Sequence, residues 1–266
     1  MIPFDRVEIN TTELCNRKCI ICPRAHDYPN QNLHMTADVV DEICKQTAEY
    51  TDYITISGRG EPLLCSNILE IIETIAIHKK RFRLQTNGDF LDKYIHDLDD
   101  ILDLKTKRNT NKIIVNCYDG LDQEKERINK WGKYKALTIT SEREDDNQKM
   151  SDRFKSGRYV NRGGASLGMP YTYQPHLQMP CYILWRKAYF NWNGDLQLCC
   201  HDWTYIKTFG NIMQSSFKDI WEGHEINKYR FGLTENNGRS LFDECRNCDA
   251  IQEIQEAKAC YLDWLG

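Results

Sequence analysis

The sequence predicts an α/β protein: an open, partial (β/α)6 barrel followed by a small cysteine-rich C-terminal domain. Three observations predict it. Strand-like and helix-like segments alternate from residue 4 to about 164, the periodic pattern stops near residue 170, and cysteines gather at both ends of the chain. Repeated β-then-α units of this spacing imply a parallel sheet with helices packed outside. Five or six strands fall short of the eight in a closed TIM barrel, so the barrel is expected to be open, with function at the C-terminal ends of its strands.

Each element has its own signal. Phe4–Asn10 alternates as a strand does. Thr36–Tyr50 opens on Thr36 as an N-cap and sets Val39, Val40, Ile43 and Ala48 at helical spacing. Tyr53–Ser57 is a β-branched run ended by Gly58, and Ser66–His78 is an amphipathic helix with Ser66 before it. Phe82–Gln85 leads into Asn87-Gly88, a turn signal. Leu91–Leu104 and Asp122–Trp131 read as helices, Lys112–Cys117 and Ala136–Thr140 as strands. In Ser141–Arg158, ten of eighteen residues are charged, which predicts a solvated helix or loop. Residues 1–169 thus form the barrel and 170–266 the small domain. There a β-hairpin is expected around a two-residue Asn193-Gly194 turn, with a helix over Phe217–Tyr229. Trp185, Trp192, Trp203 and Trp221 are expected to form this domain's core rather than a substrate platform.

Composition excludes several function classes. With 35 Lys+Arg against 39 Asp+Glu and a net charge of −4, the chain lacks the basic excess of a dedicated nucleic-acid binder. It has no run approaching the roughly 20 apolar residues of a membrane span. Met1-Ile2-Pro3-Phe4-Asp5 lacks the layout of a signal peptide, so a cytoplasmic protein is expected. Twelve thiols in a reducing compartment point to metal or redox chemistry rather than disulfides. Cys44, Cys65, Cys117 and Cys260 stand alone and read as small buried hydrophobes.

The first cysteine group, Cys15-Asn-Arg-Lys-Cys19-Ile-Ile-Cys22, is a C-x3-C-x2-C triplet just after the first strand. Three thiolates within eight residues can wrap one loop around a metal cluster. On a [4Fe–4S] cube they leave one iron open, which suits chemistry. The alternative is a structural zinc site completed by His26 or His34. The triplet resembles the signature of the radical S-adenosylmethionine (radical SAM) superfamily. Ser57-Gly58-Arg59-Gly60-Glu61-Pro62 is similar to that superfamily's Gly-Gly-Glu element, with Arg59 in place of the first glycine, and Ile21 stands where an aromatic residue is usual. The resemblance implies that Gly60 and Glu61 bind the methionine amino group of SAM. It also implies that Thr86, Asn87 and Asn116 lie near its ribose and nucleoside. The chemistry it implies is reductive SAM cleavage to a 5′-deoxyadenosyl radical that abstracts a substrate hydrogen atom, fed by a flavodoxin- or ferredoxin-like electron donor.

The second group is Cys181, Cys199-Cys200 and Cys245-Arg-Asn-Cys248. It resembles the auxiliary-cluster domain known as twitch, the shortened relative of SPASM. That resemblance implies a second, fully ligated [4Fe–4S] cluster on Cys181, Cys199, Cys245 and Cys248; a Zn(Cys)4 site is the plain alternative. Gly60–Cys65, Thr86–Leu91 and Asn161–Gly164 further resemble the radical SAM dehydrogenases of aminocyclitols. The expected activity is therefore oxidation of a carbinol in a sugar- or cyclitol-like small molecule. Alternatives are a radical epimerase with Cys200 or Cys117 as hydrogen donor, modification of a ribosomal peptide, and a non-catalytic zinc module. Arg162 is the candidate for substrate orientation, and His201 and Asp202 are candidates for the base.

Overall fold

The computed structural model describes residues 4–19, 22–26, 28–106, 110–141, 163, 165, 177–250, 258, 261 and 262. One sheet runs through them. Strands β1 (Arg6–Asn10), β2 (Tyr53–Ser57), β3 (Arg81–Thr86), β4 (Lys112–Cys117) and β5 (Leu137–Ser141) are parallel neighbours in chain order. Helices α1 (Ala37–Gln46), α2 (Ile68–Ile77), α3 (Leu91–Leu102) and α4 (Leu121–Trp131) fill the four crossovers. Consecutive order follows from the βαβ repeat, whose right-handed crossovers lay each strand beside the last.

Alternation along the strands sorts their faces. Val7, Ile9, Ile54, Ile56, Phe82, Leu84, Ile113 and Val115 enter a core shared with Val40, Ile43, Ile72 and Leu98 of the helices. The intervening residues include Glu8, Asn10, Thr55, Ser57, Gln85 and Asn116, which are polar. A period of two therefore puts grease toward the helices and polar groups on the opposite, concave side. The caps are as the sequence suggests for α1, where Thr36 Oγ1 accepts from the Val39 N–H at 3.4 Å. For α2 the N-cap is Asn67 rather than Ser66, and its side chain makes no capping bond.

The sixth parallel strand comes from an unexpected place. β6 (Lys187–Phe190) pairs parallel with β1, and β7 (Asp195–Gln197) and β8 (Thr208–Asn211) continue antiparallel. The order is β5-β4-β3-β2-β1-β6-β7-β8, so the sheet crosses the sequence boundary at 169/170 without a break. A buried ion pair rivets this joint, with Lys187 Nζ 2.7 Å from Glu8 Oε2. The β6–β7 connection is four residues, not two: Asn191 Oδ1 accepts the N–H groups of Asn193 and Asp195 and stabilises the wider loop.

The helix expected over Phe217–Tyr229 is two helices, α5 (Phe217–Trp221) and α6 (His224–Thr234). They part at Gly223, where a Cβ would stand 2.5 Å from the Asp219 carbonyl oxygen. Phe217 and Trp221 pack on Phe4 with ring centroids 5.7 and 4.7 Å away, so α5 seals the start of β1. Among the described residues no helix is long and apolar enough to cross a membrane. The charged segment 142–158, with Arg162, Ile21 and Cys260, lies outside the described residues.

Candidate functional site

A cavity of about 430 Å³ opens at the C-terminal ends of the parallel strands. The loop after β1 brings Cys15, Cys19 and Cys22 to it, β2 brings Ser57 to Glu61, and β3 brings Gln85, Thr86 and Asn87. Asn116 and Thr140 come from β4 and β5, Tyr118 follows β4, and Arg17 and Trp203 complete the wall. Every sequence-derived residue of the first cysteine group and of the cofactor set therefore meets in one place.

Glu61 is the hub. Its carboxylate accepts from Thr86 Oγ1 at 2.6 Å, from the Asn87 N–H at 2.7 Å and from the Leu63 N–H at 3.1 Å. Three of about four acceptor positions are filled, leaving one for a ligand ammonium. Burial pushes the carboxyl up to about 7 despite these donors. Gly60 is required for a different reason than ligand approach. A Cβ there would lie 2.2 Å from the Thr12 carbonyl oxygen and 2.6 Å from that of Leu14, and the Glu61 N–H donates to Leu14 O at 2.7 Å. The glycine lets the β2 end clasp the chain that leads into Cys15.

Arg17, inside the cysteine triplet, clamps the loop from the other side. It donates to Asp89 at 2.6 and 2.7 Å and to Asp119 at 3.0 and 2.8 Å, the residues following β3 and β4. Asn16 and Arg127 also donate to Asp89, at 2.7 and 2.8 Å. Beneath the loop, buried Glu13 accepts from Asn10 at 2.6 Å and Tyr28 at 2.9 Å, and from the Tyr205 hydroxyl. Arg24 donates to Glu13 O and Arg59 O, both at 2.6 Å. Arg59 itself is buried; it donates to the Asp202 carbonyl and lies 3.5 Å over the Tyr205 ring centroid. The residue that replaces a glycine thus joins β2 to the loop after Cys199.

A second cavity gathers Cys181, Cys199, Cys245 and Cys248 with Ile183, Leu198, Leu233, Arg239 and Glu244. Burial pushes the Cys181 thiol up to about 11 and those of Cys199 and Cys245 well above the usual thiol range. Burial likewise raises Cys15, and Cys19 to about 12. Such thiols give up protons to metal rather than to water. Among the described residues no three His, Cys, Asp or Glu side chains are close enough to chelate a single ion; each cysteine group stands around a cavity instead. The donor sets fit the clusters that the resemblance implies. Three half-buried thiols border an open cavity with room for a further ligand, and four thiols border an apolar one.

The candidate base residues fall in the second cavity, not the first. His201 and Asp202 line it, and the Asp202 carboxylate is taken by Thr204 Oγ1 at 3.1 Å and by the N–H groups of Ile206 and Lys207. Gly163, beside the undescribed Arg162, lines the same cavity, with a positive φ of 65° and room only for a hydrogen against the His201 carbonyl. Trp203 is buried core like Trp185 and Trp221, and it also walls the first cavity. Cys117 is fully buried, and neither it nor Cys200 lines either cavity. His34 has both ring nitrogens engaged, by Thr12 at 3.0 Å and Asn32 at 2.8 Å. Sequence reasoning missed Glu13, Arg24 and the Arg17–Asp89–Asp119 clamp; a cation inside the triplet and an acid after Asn-Gly were the available signals.

Residues 9–140 match the radical SAM superfamily, and residues 181–249 match SPASM, an iron–sulfur cluster-binding domain whose span encloses all four cysteines of the second cavity. The chain belongs to the radical SAM superfamily and carries a SPASM-type domain. Over 264 residues it is 26% identical to the S-adenosyl-L-methionine-dependent 2-deoxy-scyllo-inosamine dehydrogenase of Niallia circulans, covering 97% of this chain and 98% of that one. A probable GTP 3′,8-cyclase of Methanococcus maripaludis is 38% identical over 94 residues, 35% of this chain and 31% of its own length. The fold is that of BtrN, solved with AdoMet and 2-DOIA, at a TM-score of 0.74 and 22% identity over 93% of this chain and 94% of BtrN.

Proposed function

We propose that this protein is a radical SAM oxidoreductase that removes a carbinol hydrogen from a sugar- or cyclitol-like small molecule and delivers the second electron to an auxiliary cluster. One observation carries this reading: the two cavities share a wall. His201 and Asp202 line the second, Trp203 lines the first, and Arg59 of the first holds the Asp202 carbonyl. A substrate above Trp203 is separated from the four-cysteine site by only this segment. The aminocyclitol dehydrogenase relative, aligned over 97% of the chain, supports the substrate class.

Bound at the first site, SAM and the open cluster supply a 5′-deoxyadenosyl radical; the chain's own residues bind and shield. Cys15, Cys19 and Cys22 hold the cluster, Glu61 takes the ammonium of SAM, and Thr86, Asn87 and Asn116 face the nucleoside. Trp203 and Tyr118 exclude water from the cavity, and Arg162 orients the substrate hydroxyls. Cys181, Cys199, Cys245 and Cys248 hold the second cluster. Asn16 and Lys18 are exposed beside half-buried Cys19, so a flavodoxin- or ferredoxin-like donor can dock at this loop. The epimerase alternative needs a thiol facing substrate, and neither Cys117 nor Cys200 is among the residues lining the cavities.

The test is anaerobic reconstitution followed by turnover with aminocyclitols and aminosugars in deuterated water. A two-electron-oxidised product with one 5′-deoxyadenosine per turnover is expected. Solvent deuterium at an inverted carbon, or turnover of peptides alone, sinks the reading.

A further inference from the structure

Of the charged residues around the second cavity, Arg239 is placed most unusually. It is 1% exposed and lines the cavity with the four cysteines; Asp202 and Glu244 are the acidic residues of the same lining. Among the described lining residues it is the single guanidinium or ammonium group. Its seat is built by close packing. Gly238 lies so near α6 that a Cβ would stand 2.2 Å from the Gly232 carbonyl oxygen, and this approach turns the next side chain inward. Arg239 Nη1 then donates to Cys248 O at 3.0 Å and Nη2 to Ala250 O at 2.7 Å. Nε is buried with no hydrogen-bond partner. A buried donor left without a partner is costly, and natural structures rarely leave one.

We infer that Arg239 is the residue that sets the reduction potential of the auxiliary cluster, holding a fixed positive charge and one free N–H beside it. The inference rests on the proposed second cluster. Four thiolates around a [4Fe–4S] core give a net charge of 2−, and one added electron makes it 3−. That increment of negative charge is what a neighbouring guanidinium stabilises, all the more in an apolar, water-poor cavity. The planar fork of arginine can hold two carbonyls while a third edge faces elsewhere. The balance of the overall step is then complete: the substrate carbinol radical loses one electron to the cluster and its hydroxyl proton to a base, and becomes a ketone. Arg239 touches neither substrate nor SAM. It is a positioning residue that makes the electron's destination favourable, and Asp202 and Glu244 act in the opposite sense.

The experiment is a redox titration of the reconstituted enzyme, followed by electron paramagnetic resonance, with SAM added to separate the first cluster's signal. Iron and sulfide are counted first. A wild-type protein that binds only four irons defeats the two-cluster reading itself, before any variant is made. With eight irons bound, Arg239→Met should weaken reduction of the second cluster at least tenfold, which is 59 mV for a one-electron couple. Arg239→Lys, which keeps the charge, should stay within threefold of wild type, and Glu244→Gln should shift the other way. The signal of the first cluster should not move. If Arg239→Met loses the second cluster, retention at wild-type potential in Arg239→Lys still supports a charge role. A cluster-bearing Arg239→Met at wild-type potential overturns the inference, as does Arg239→Lys lowered as far as Arg239→Met. A merely structural role for Arg239 would loosen the loop without opposite shifts in Arg239 and Glu244 variants.

Discussion

Glu61 carries the main electrostatic consequence at the residue scale. Burial raises its carboxyl to about 7, so in the cofactor-free protein the group is largely neutral below that pH and ionised above it. An ammonium ligand prefers the ionised form. SAM binding should therefore tighten as pH rises from about 6 to about 7, by about fivefold, below the range in which an α-amino group itself loses its proton. The same shift makes the free protein lose stability as pH climbs from its unfolded carboxyl value through about 7, because the folded state holds a proton the unfolded chain has released. Glu61→Gln should bind SAM more weakly with a flat pH profile. Equilibrium dialysis at the two pH values checks this, and an equally steep profile in the variant rules Glu61 out as the titrating group. The residue types of this motif were legible in the sequence, but their reasons were not. Gly60 looks like a ligand-facing glycine until the fold brings Thr12 and Leu14 against it, a contact between segments nearly fifty positions apart.

Elements decide how firmly the first cluster is held. Among its described residues before Cys22 the cysteine loop has no regular structure of its own, and it is held by strand ends: Gly60 and Glu61 after β2, Asp89 after β3, Asp119 after β4. Arg17 ties two of these to the loop through charge-assisted bonds, each worth roughly 1.5–3 kcal/mol in a buried setting and less here at the rim. Arg17→Ala should leave the fold intact, because the strands do not depend on the clamp. It should speed iron loss from the first cluster to a chelator by about fivefold or more while the second cluster's release is unchanged. Equal release rates would remove the clamp's role. The alternating strands and the helices α1 to α4 were readable because each has its own period and turn signal. The partner of β6 was not. Nothing local in Lys187–Phe190 says that it will lie parallel to β1, since that pairing is settled by the Glu8–Lys187 ion pair and by apolar packing of α5 on Phe4. The break at Gly223 was hidden for a similar reason, because a lone glycine in a periodic stretch leaves a helix possible.

At the scale of the whole molecule, the segment 201–203 lies between the two cavities, and on the proposed function this arrangement separates the duties of the two clusters. The first site is complete without the second: its cysteines, Glu61 and the strand-end polar groups all precede residue 141, apart from Trp203. Losing the second cluster should therefore spare SAM binding and the first electron transfer. On the proposed function it removes the acceptor for the substrate radical. The Cys245→Ala, Cys248→Ala double variant should retain four irons and cleave SAM, giving 5′-deoxyadenosine at a rate within about tenfold of wild type, yet yield less than about a hundredth of the oxidised product. Such a loss is worth about 2.7 kcal/mol or more on the completing step. Metal ligation also stabilises this region, so circular dichroism of the double variant must match the wild type. The informative quantity is the ratio of product to 5′-deoxyadenosine, which does not depend on how much active enzyme is recovered. A ratio that stays near one in a folded protein with four irons would mean that the second electron leaves by another route, and the shared wall would then have a structural purpose alone.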